Sequence, residues 1–187
     1  MERNDKANKL CSVARAMEVV GDRWSILLLR EAYYGVTRFD EFQLYIGVAT
    51  NILSTRLKKF VELGVMERKG LPEHSRRYEY VLTDMGRDFF RTYLALKKWG
   101  DDWLADGAGP QVVFQDRHSR KEIVSPGVLD AHGKPLQLED IEVVAGPDAV
   151  AFNRKRFGKG VPLAGGKTEA AGTTVARTPS PSARRKA

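Results

Sequence analysis

The stretch GVATNILSTRLKKFVELGVMERKGLPEHSRRYEYVLT, residues 47–83, decides how this chain is read. Gly47 marks a turn. From Thr50 to Leu63, the residues Ile52, Leu53, Leu57, Phe60 and Val61 recur at helical spacing on one face. Asn51, Ser54, Thr55, Lys58 and Lys59 fall on the opposite face. Gly64 then ends the helix. Val65–Lys69 and Arg77–Leu82 follow with the alternation of a β-hairpin, the second strand placing Tyr78, Tyr80 and Leu82 on one side. Gly70–Ser75 between them is expected to form a loop longer than a tight turn.

A polar-faced helix followed by a basic hairpin has direct physical meaning. A helix fits the major groove of duplex DNA, and its exposed N-terminal residues reach base edges. Here these are Thr50, Asn51, Ser54 and Thr55, all short and able to donate or accept hydrogen bonds. Arg56, Lys58 and Lys59 follow and suit phosphates. His74, Arg76 and Arg77 near the hairpin tip can lie along the backbone or enter the minor groove. Between Ser54 and Arg77 seven Lys and Arg stand against three Glu, so the positive charge is local to the proposed contact.

The flanks fit the same plan. On the N-terminal side, Cys11–Val20 has a helical stripe of Val13, Ala14, Met17 and Val20. Arg23–Tyr34 is nearly all apolar at Trp24 and Ile26–Leu29, as a central core helix should be. A short third helix opens at Thr37 or Arg38 and carries Phe39, Phe42, Leu44 and Tyr45. On the C-terminal side, Thr83 is a suitable N-cap for a long last helix ending at Gly107–Pro110. That helix carries Phe89, Phe90, Tyr93, Leu94, Leu96, Trp99, Trp103 and Leu104. So many large apolar residues exceed what a small domain can bury, so Phe89, Tyr93, Leu96, Trp99 and Trp103 are read as a subunit interface.

The segments CSVARAMEVVGDRWSILLLREAYYGVTRFDEFQ, GVATNILSTRLKKFVELGVMERK, RRYEYVLTDMGRDFF and KKWGDDWL resemble the HxlR-type winged helix-turn-helix regulators over about residues 11–104. The Asp22-Arg23-Trp24, Tyr78-Glu79-Tyr80 and Leu82-Thr83 segments carry most of that likeness. The resemblance implies a homodimer joined by its first and last helices, which brings Val13 and Met17 into the interface, and repression or activation of nearby genes. It also gives Cys11 a second reading. In some members a cysteine at this position of the first helix senses oxidants or electrophiles, whereas an unpaired cysteine is otherwise often a small buried residue.

Relatives extended beyond the last helix carry a small zinc-ribbon-like module with cysteine knuckles. Here residues 109–152 offer short strands at Val112–Gln115, Glu122–Val124 and Ile141–Val144. They also have turns at Pro126-Gly127 and His132–Pro135. Leu129 and His132 stand where the second knuckle's cysteines would be, and Ser119 is near the first. Tetrahedral zinc takes four Cys, His or carboxylate ligands. The segment has only His118 and His132, with Asp116 and Asp130 as weaker donors, so it is read as a degenerate, metal-free module.

The expected architecture is therefore α+β. A mobile arm (1–10) precedes a winged helix-turn-helix DNA-binding and dimerisation domain (11–108), a β-rich appendage (109–152) and a disordered basic tail (153–187). The formal charge is +7, yet residues 153–187 hold nine Lys and Arg against one Glu, so the remainder is nearly neutral and overall charge says little about the site. No apolar run of membrane-spanning length and no signal peptide is seen, and the lone Cys11 excludes an intrachain disulfide, which fits a cytoplasmic protein. His74, His118 and His132 are scattered, and no Gly-rich phosphate loop or nucleophile motif occurs, so no enzyme, cofactor or metal is expected. The expected partners are double-stranded DNA at an inverted-repeat operator, a second copy of the chain and a small-molecule effector. The rival reading is a winged helix that has lost DNA and recruits protein through its aromatic helix.

Overall fold

A computed structural model describes residues 10–71, 74–105, 107, 109–123 and 127–162, with side chains 71–77 and 162 left aside. The expected N-terminal arm, apart from Leu10, and residues 163–187 of the expected tail lie outside the described residues. The chain divides into two units, Met1–Lys97 and Lys98–Ala187.

The first unit is built from α1 (Ser12–Val20), α2 (Arg23–Tyr33), α3 (Phe39–Ile46), α4 (Thr50–Glu62), β1 (Met66–Leu71), β2 (His74–Leu82), α5 (Asp84–Asp88) and the start of α6 (Phe90–Trp103). Its core is the apolar periodicity made solid. Leu53, Leu57 and Phe60 project from one face of α4, one turn apart, and meet Leu28 and Leu29 of α2, Phe42 of α3, and Met66. All seven are essentially solvent-free. Truncating one such Leu to Ala costs ~2–5 kcal/mol, so these contacts fix how α4 is presented.

Local chemistry sets the joints. Asp22 caps α2, its Oδ1 accepting from the backbone N–H of Trp24 (3.1 Å) and Ser25 (3.1 Å). The Ser25 hydroxyl, fully buried, donates to Asp22 Oδ2 at 2.6 Å. Between α3 and α4, Gly47 adopts φ 67°, a left-handed conformation that costs a side chain and that makes the tight turn of the helix-turn-helix. Arg38, not Thr37, takes the N-cap position of α3. Thr37 is instead engaged with β2, its carbonyl accepting from Tyr80 N–H at 2.8 Å and its hydroxyl donating to Glu79 Oε1 at 3.2 Å.

The hairpin is antiparallel, with Met66 opposite Leu82 and Gly70 opposite Tyr78, and its register shifts between Gly70 and Leu71. The strands run closer together than expected. Only residues 72–73 separate β1 from β2, so the expected Gly70–Ser75 loop is largely strand. Alternation was a poor guide there because Glu67–Gly70 are exposed and burial imposes no pattern on them. At the hairpin base the Thr83 hydroxyl donates toward the carbonyls of Gly64 (2.5 Å) and Val65 (3.1 Å) and accepts from Gly86 N–H (3.3 Å). The expected single last helix is broken at Phe89 into α5 and α6.

The second unit is mostly loop. The expected strand Val112–Gln115 shrinks to a single bridge, Gln115 to Glu122, and Leu129 bridges Pro135. Val124, the end of the second expected strand, lies outside the described residues. A 3₁₀ turn (Leu138–Asp140) leads into β3 (Glu142–Val143). The structure corrects the expectation that order ends at Asn153. A helix, α7 (Ala151–Phe157), and a strand, β4 (Val161–Pro162), follow, and β4 pairs antiparallel with β3. The segment has few apolar side chains, but backbone pairing to an otherwise open strand edge supplies what side-chain burial alone does not.

Candidate nucleic-acid interface

The front of α4 is laid out as a reading surface. Thr50, Asn51, Ser54, Thr55 and Lys58 are all exposed. Gln43 of α3 donates to the Thr50 hydroxyl at 2.8 Å, tying the two helices of the motif across the Gly47 turn. The Thr55 hydroxyl donates to the Asn51 backbone carbonyl at 2.8 Å. Ala49 occupies the N-cap position and gives no side-chain cap, so the first amides of α4 keep hydrogen-bonding capacity toward an anion. Lys58 makes only a loose, exposed pair with Glu62, 3.7 Å apart.

The other two cations of α4 point elsewhere. Arg56 Nη1 lies 3.3 Å from Asp22 Oδ2, at the N-cap of α2. Lys59 Nζ donates to the Glu18 carbonyl in the last turn of α1. That carbonyl is one of the C-terminal acceptors a helix cannot satisfy internally, and α1 has no basic residue of its own in its last turn. Arg56 and Lys59 are three residues apart on α4 and together grip the corner where α1 ends and α2 begins. Their described partners are therefore protein groups, in contrast to the phosphate role the sequence assigns them. Burial raises the Asp22 carboxyl, but the Ser25 hydrogen bonds and the Arg56 guanidinium outweigh it, and the net value falls below the usual aspartate range.

On the hairpin, the guanidinium of Arg68 stacks 4.0 Å over the Tyr78 ring. Lys69 pairs with Glu67 at 2.8 Å. Sequence reasoning missed the Arg68–Tyr78 pair, although Arg68 on one strand diagonal to an aromatic on the next is a readable signal. The side chains of His74, Arg76 and Arg77 lie outside the described residues.

The residues expected at a subunit interface separate into two groups. Tyr93 is 5% exposed and belongs to the chain's own interior, its ring 5.2 Å from that of Tyr33 and its hydroxyl 3.4 Å from that of Tyr34. Burial lifts both the Tyr33 and the Tyr93 phenols well above their usual range. Phe89 is half-buried against the core. Val13, Met17, Leu96, Trp99 and Trp103 remain exposed, the two tryptophans at 54% and 60%. Cys11 is a free, exposed thiol at the N-cap of α1, where its side chain makes no capping hydrogen bond.

In the second unit Asp116 Oδ1 accepts from the backbone N–H of His118 (3.1 Å) and Ser119 (2.5 Å). Asp130 Oδ1 accepts from those of His132 (2.8 Å) and Lys134 (2.9 Å). The backbone hydrogen bonds from Ser119 lead in holding the Asp116 carboxyl below its usual range. Among the described residues no three His, Cys, Asp or Glu gather as a metal site. Among them too, no helix is long and apolar enough to cross a membrane.

A three-helix core, a helix-turn-helix with its second helix exposed and a two-stranded wing define a winged-helix DNA-binding transcriptional regulator. Residues 19–108 match the model of the HxlR-like helix-turn-helix family. The chain belongs to that family. It is 37% identical over 137 residues to the uncharacterized HTH-type transcriptional regulator MT3179 of Mycobacterium tuberculosis, covering 73% of this chain and 86% of the relative. The crystal structure of PA1607, a candidate transcription factor, is similar with a TM-score of 0.68 and 39% identity, covering 73% of this chain and 96% of that one. A candidate transcription factor from Pseudomonas aeruginosa, PA1374, is similar with a TM-score of 0.55 and 38% identity, covering 79% and 100%.

Proposed function

We propose that the chain works as a homodimer on an inverted-repeat operator, reading base edges with the front of α4 and phosphates with Lys58 and the wing. The observation that carries this reading is the segregation on α4. Short hydrogen-bonding side chains stand exposed at its N-terminal end, while Arg56 and Lys59 anchor its rear to α1 and α2. Asn pairs bidentately with adenine in the major groove, which makes Asn51 the leading base reader. The exposed Val13, Met17, Leu96, Trp99 and Trp103 support dimerisation, because extensive apolar surface left in water is what subunit interfaces cover. A two-fold dimer places its half-sites about one or two helical turns apart.

The test is a titration of Asn51→Ala against operator and scrambled duplex. Operator affinity should fall by ~1–3 kcal/mol with nonspecific binding nearly intact. Equal loss on both duplexes would remove Asn51 from base reading. A second reading, thiol sensing, is favoured by the exposure of Cys11. Diamide should then weaken operator binding in the parent protein and not in Cys11→Ser.

A further inference from the structure

A cavity of about 240 Å³ opens on the first unit beside the α1–α2 corner. Its floor is Val20, Leu29 and Val65, which are 7%, 0% and 3% exposed. Val19 and Phe89 form half-buried walls. Ala16, Met85, Asp88 and Thr92 ring the exposed mouth. Asp88 is already paired with Arg91 at 3.0 Å, so the mouth holds no strong call for a cationic ligand. A dry cavity of about 150 Å³ lined by aliphatic and aromatic side chains takes up benzene. The larger space here suits two fused rings.

Its position matters as much as its lining. The cavity touches α1 at Ala16, Val19 and Val20, the residue leading into the wing at Val65, and α5 at Met85 and Asp88. Glu18, between those α1 positions, gives its carbonyl to Lys59 of α4. Two residues beyond Val20, Asp22 holds Arg56 of α4 at 3.3 Å. A molecule that displaces α1 outward must lengthen one or both ties, and both end on the helix that carries Asn51.

We propose that this cavity is an effector site for a small, uncharged, bicyclic aromatic compound, and that its occupation loosens α4 through Lys59 and Arg56. The proposal rests on the DNA-binding reading for its output but not for its ligand. Indole serves as the probe, with the full chain throughout. Calorimetry should show saturable binding of one indole per chain. Operator affinity, on a duplex selected from genomic fragments, should fall about tenfold at saturation, within the usual range of coupling between two sites (~5–150-fold). Ala16→Phe, which fills the mouth from α1, should abolish indole uptake while leaving operator affinity without indole within about threefold. Thr92→Tyr, from the opposite rim, does the same should the first variant fold poorly. Lys59→Met should still take up indole, but its operator affinity should respond less than about threefold. Absence of indole binding overturns the proposal, and so does binding that neither rim variant reduces. The first result is also what a partner subunit's side chain seated in the cavity would give. Uptake with no change in operator affinity leaves the site but refutes the coupling. Failure of the parent protein to select any operator refutes the DNA reading instead, and calorimetry separates the two.

Discussion

The pairing of Asp22 with Arg56 can be measured by a double-mutant cycle of Asp22→Asn, Arg56→Met and both together. Asn at position 22 keeps an oxygen for the N–H groups of Trp24 and Ser25, removes the charge and sets an NH2 where Oδ2 accepts from the Ser25 hydroxyl, whereas Met keeps the stem of Arg56 and removes the guanidinium. The two side chains are 29% and 28% exposed, so the pair is partly screened but not free in solvent. Exposed pairs couple by ~0.2–1 kcal/mol, and partial burial places this one at the upper end, ~0.5–1 kcal/mol. Each single variant should lose ~1 kcal/mol in urea unfolding at constant m, and the double variant should lose less than their sum by that coupling. The sign with pH follows from the lowered carboxyl. Asp22 contributes its stabilisation above the unfolded aspartate value of ~3.9 and loses it as pH falls through its lower folded value. Below that, the coupling should vanish. The decisive comparison is on DNA. Loss of a phosphate contact lowers the salt slope by ~0.9, so Arg56→Met should leave the slope unchanged. A coupling near zero, together with a slope reduced by a full unit, would put Arg56 on the phosphate backbone and refute this account.

Other outcomes follow from other parts of the molecule. Gly86→Ala should destabilise by ~1–3 kcal/mol in thermal or urea unfolding, because an added Cβ would sit 2.3 Å from the Val65 carbonyl oxygen and 2.9 Å from Leu82 Cδ2. Trp99→Ala and Trp103→Ala should each shift sedimentation at low micromolar concentration toward monomer, and two unchanged dimers would place the interface elsewhere. In the second unit, Asp116→Ala and Asp130→Ala should raise protease sensitivity between residues 111 and 137, since each removes a carboxylate that accepts from two backbone N–H groups. Exhaustive chelation should change nothing there, and a chelator-induced loss of order would reveal a bound metal.

The helices α2–α4 were legible because each buries one face, and burial writes its period into the sequence. The wing's existence was legible too, but not its length, because a hairpin with exposed strands has no apolar alternation to read. Arg56 and Lys59 show a different limit. On a helical wheel a cation facing a phosphate and a cation facing a neighbouring helix end look alike. The partner of Lys59 is a backbone carbonyl, which leaves no trace in residue identity. Tyr93 sat in a long aromatic stripe, and its partners Tyr33 and Tyr34 lay sixty residues upstream in a helix already rich in apolar groups. β3 and β4 are two residues each, too short for any periodicity, and only their pairing makes them strands.

The hydroxyl of Thr83 touches Gly64, Val65 and Gly86 at once, so the two strands of the wing leave and re-enter the domain through one fastened point. Length added or removed beyond that point does not reach α4 or α5. The wing's outer half is thus free to vary in length and sequence among descendants of this fold while the helix that faces the groove keeps its place. Such a protein can change how it holds the flanks of its site without relearning how to read the centre.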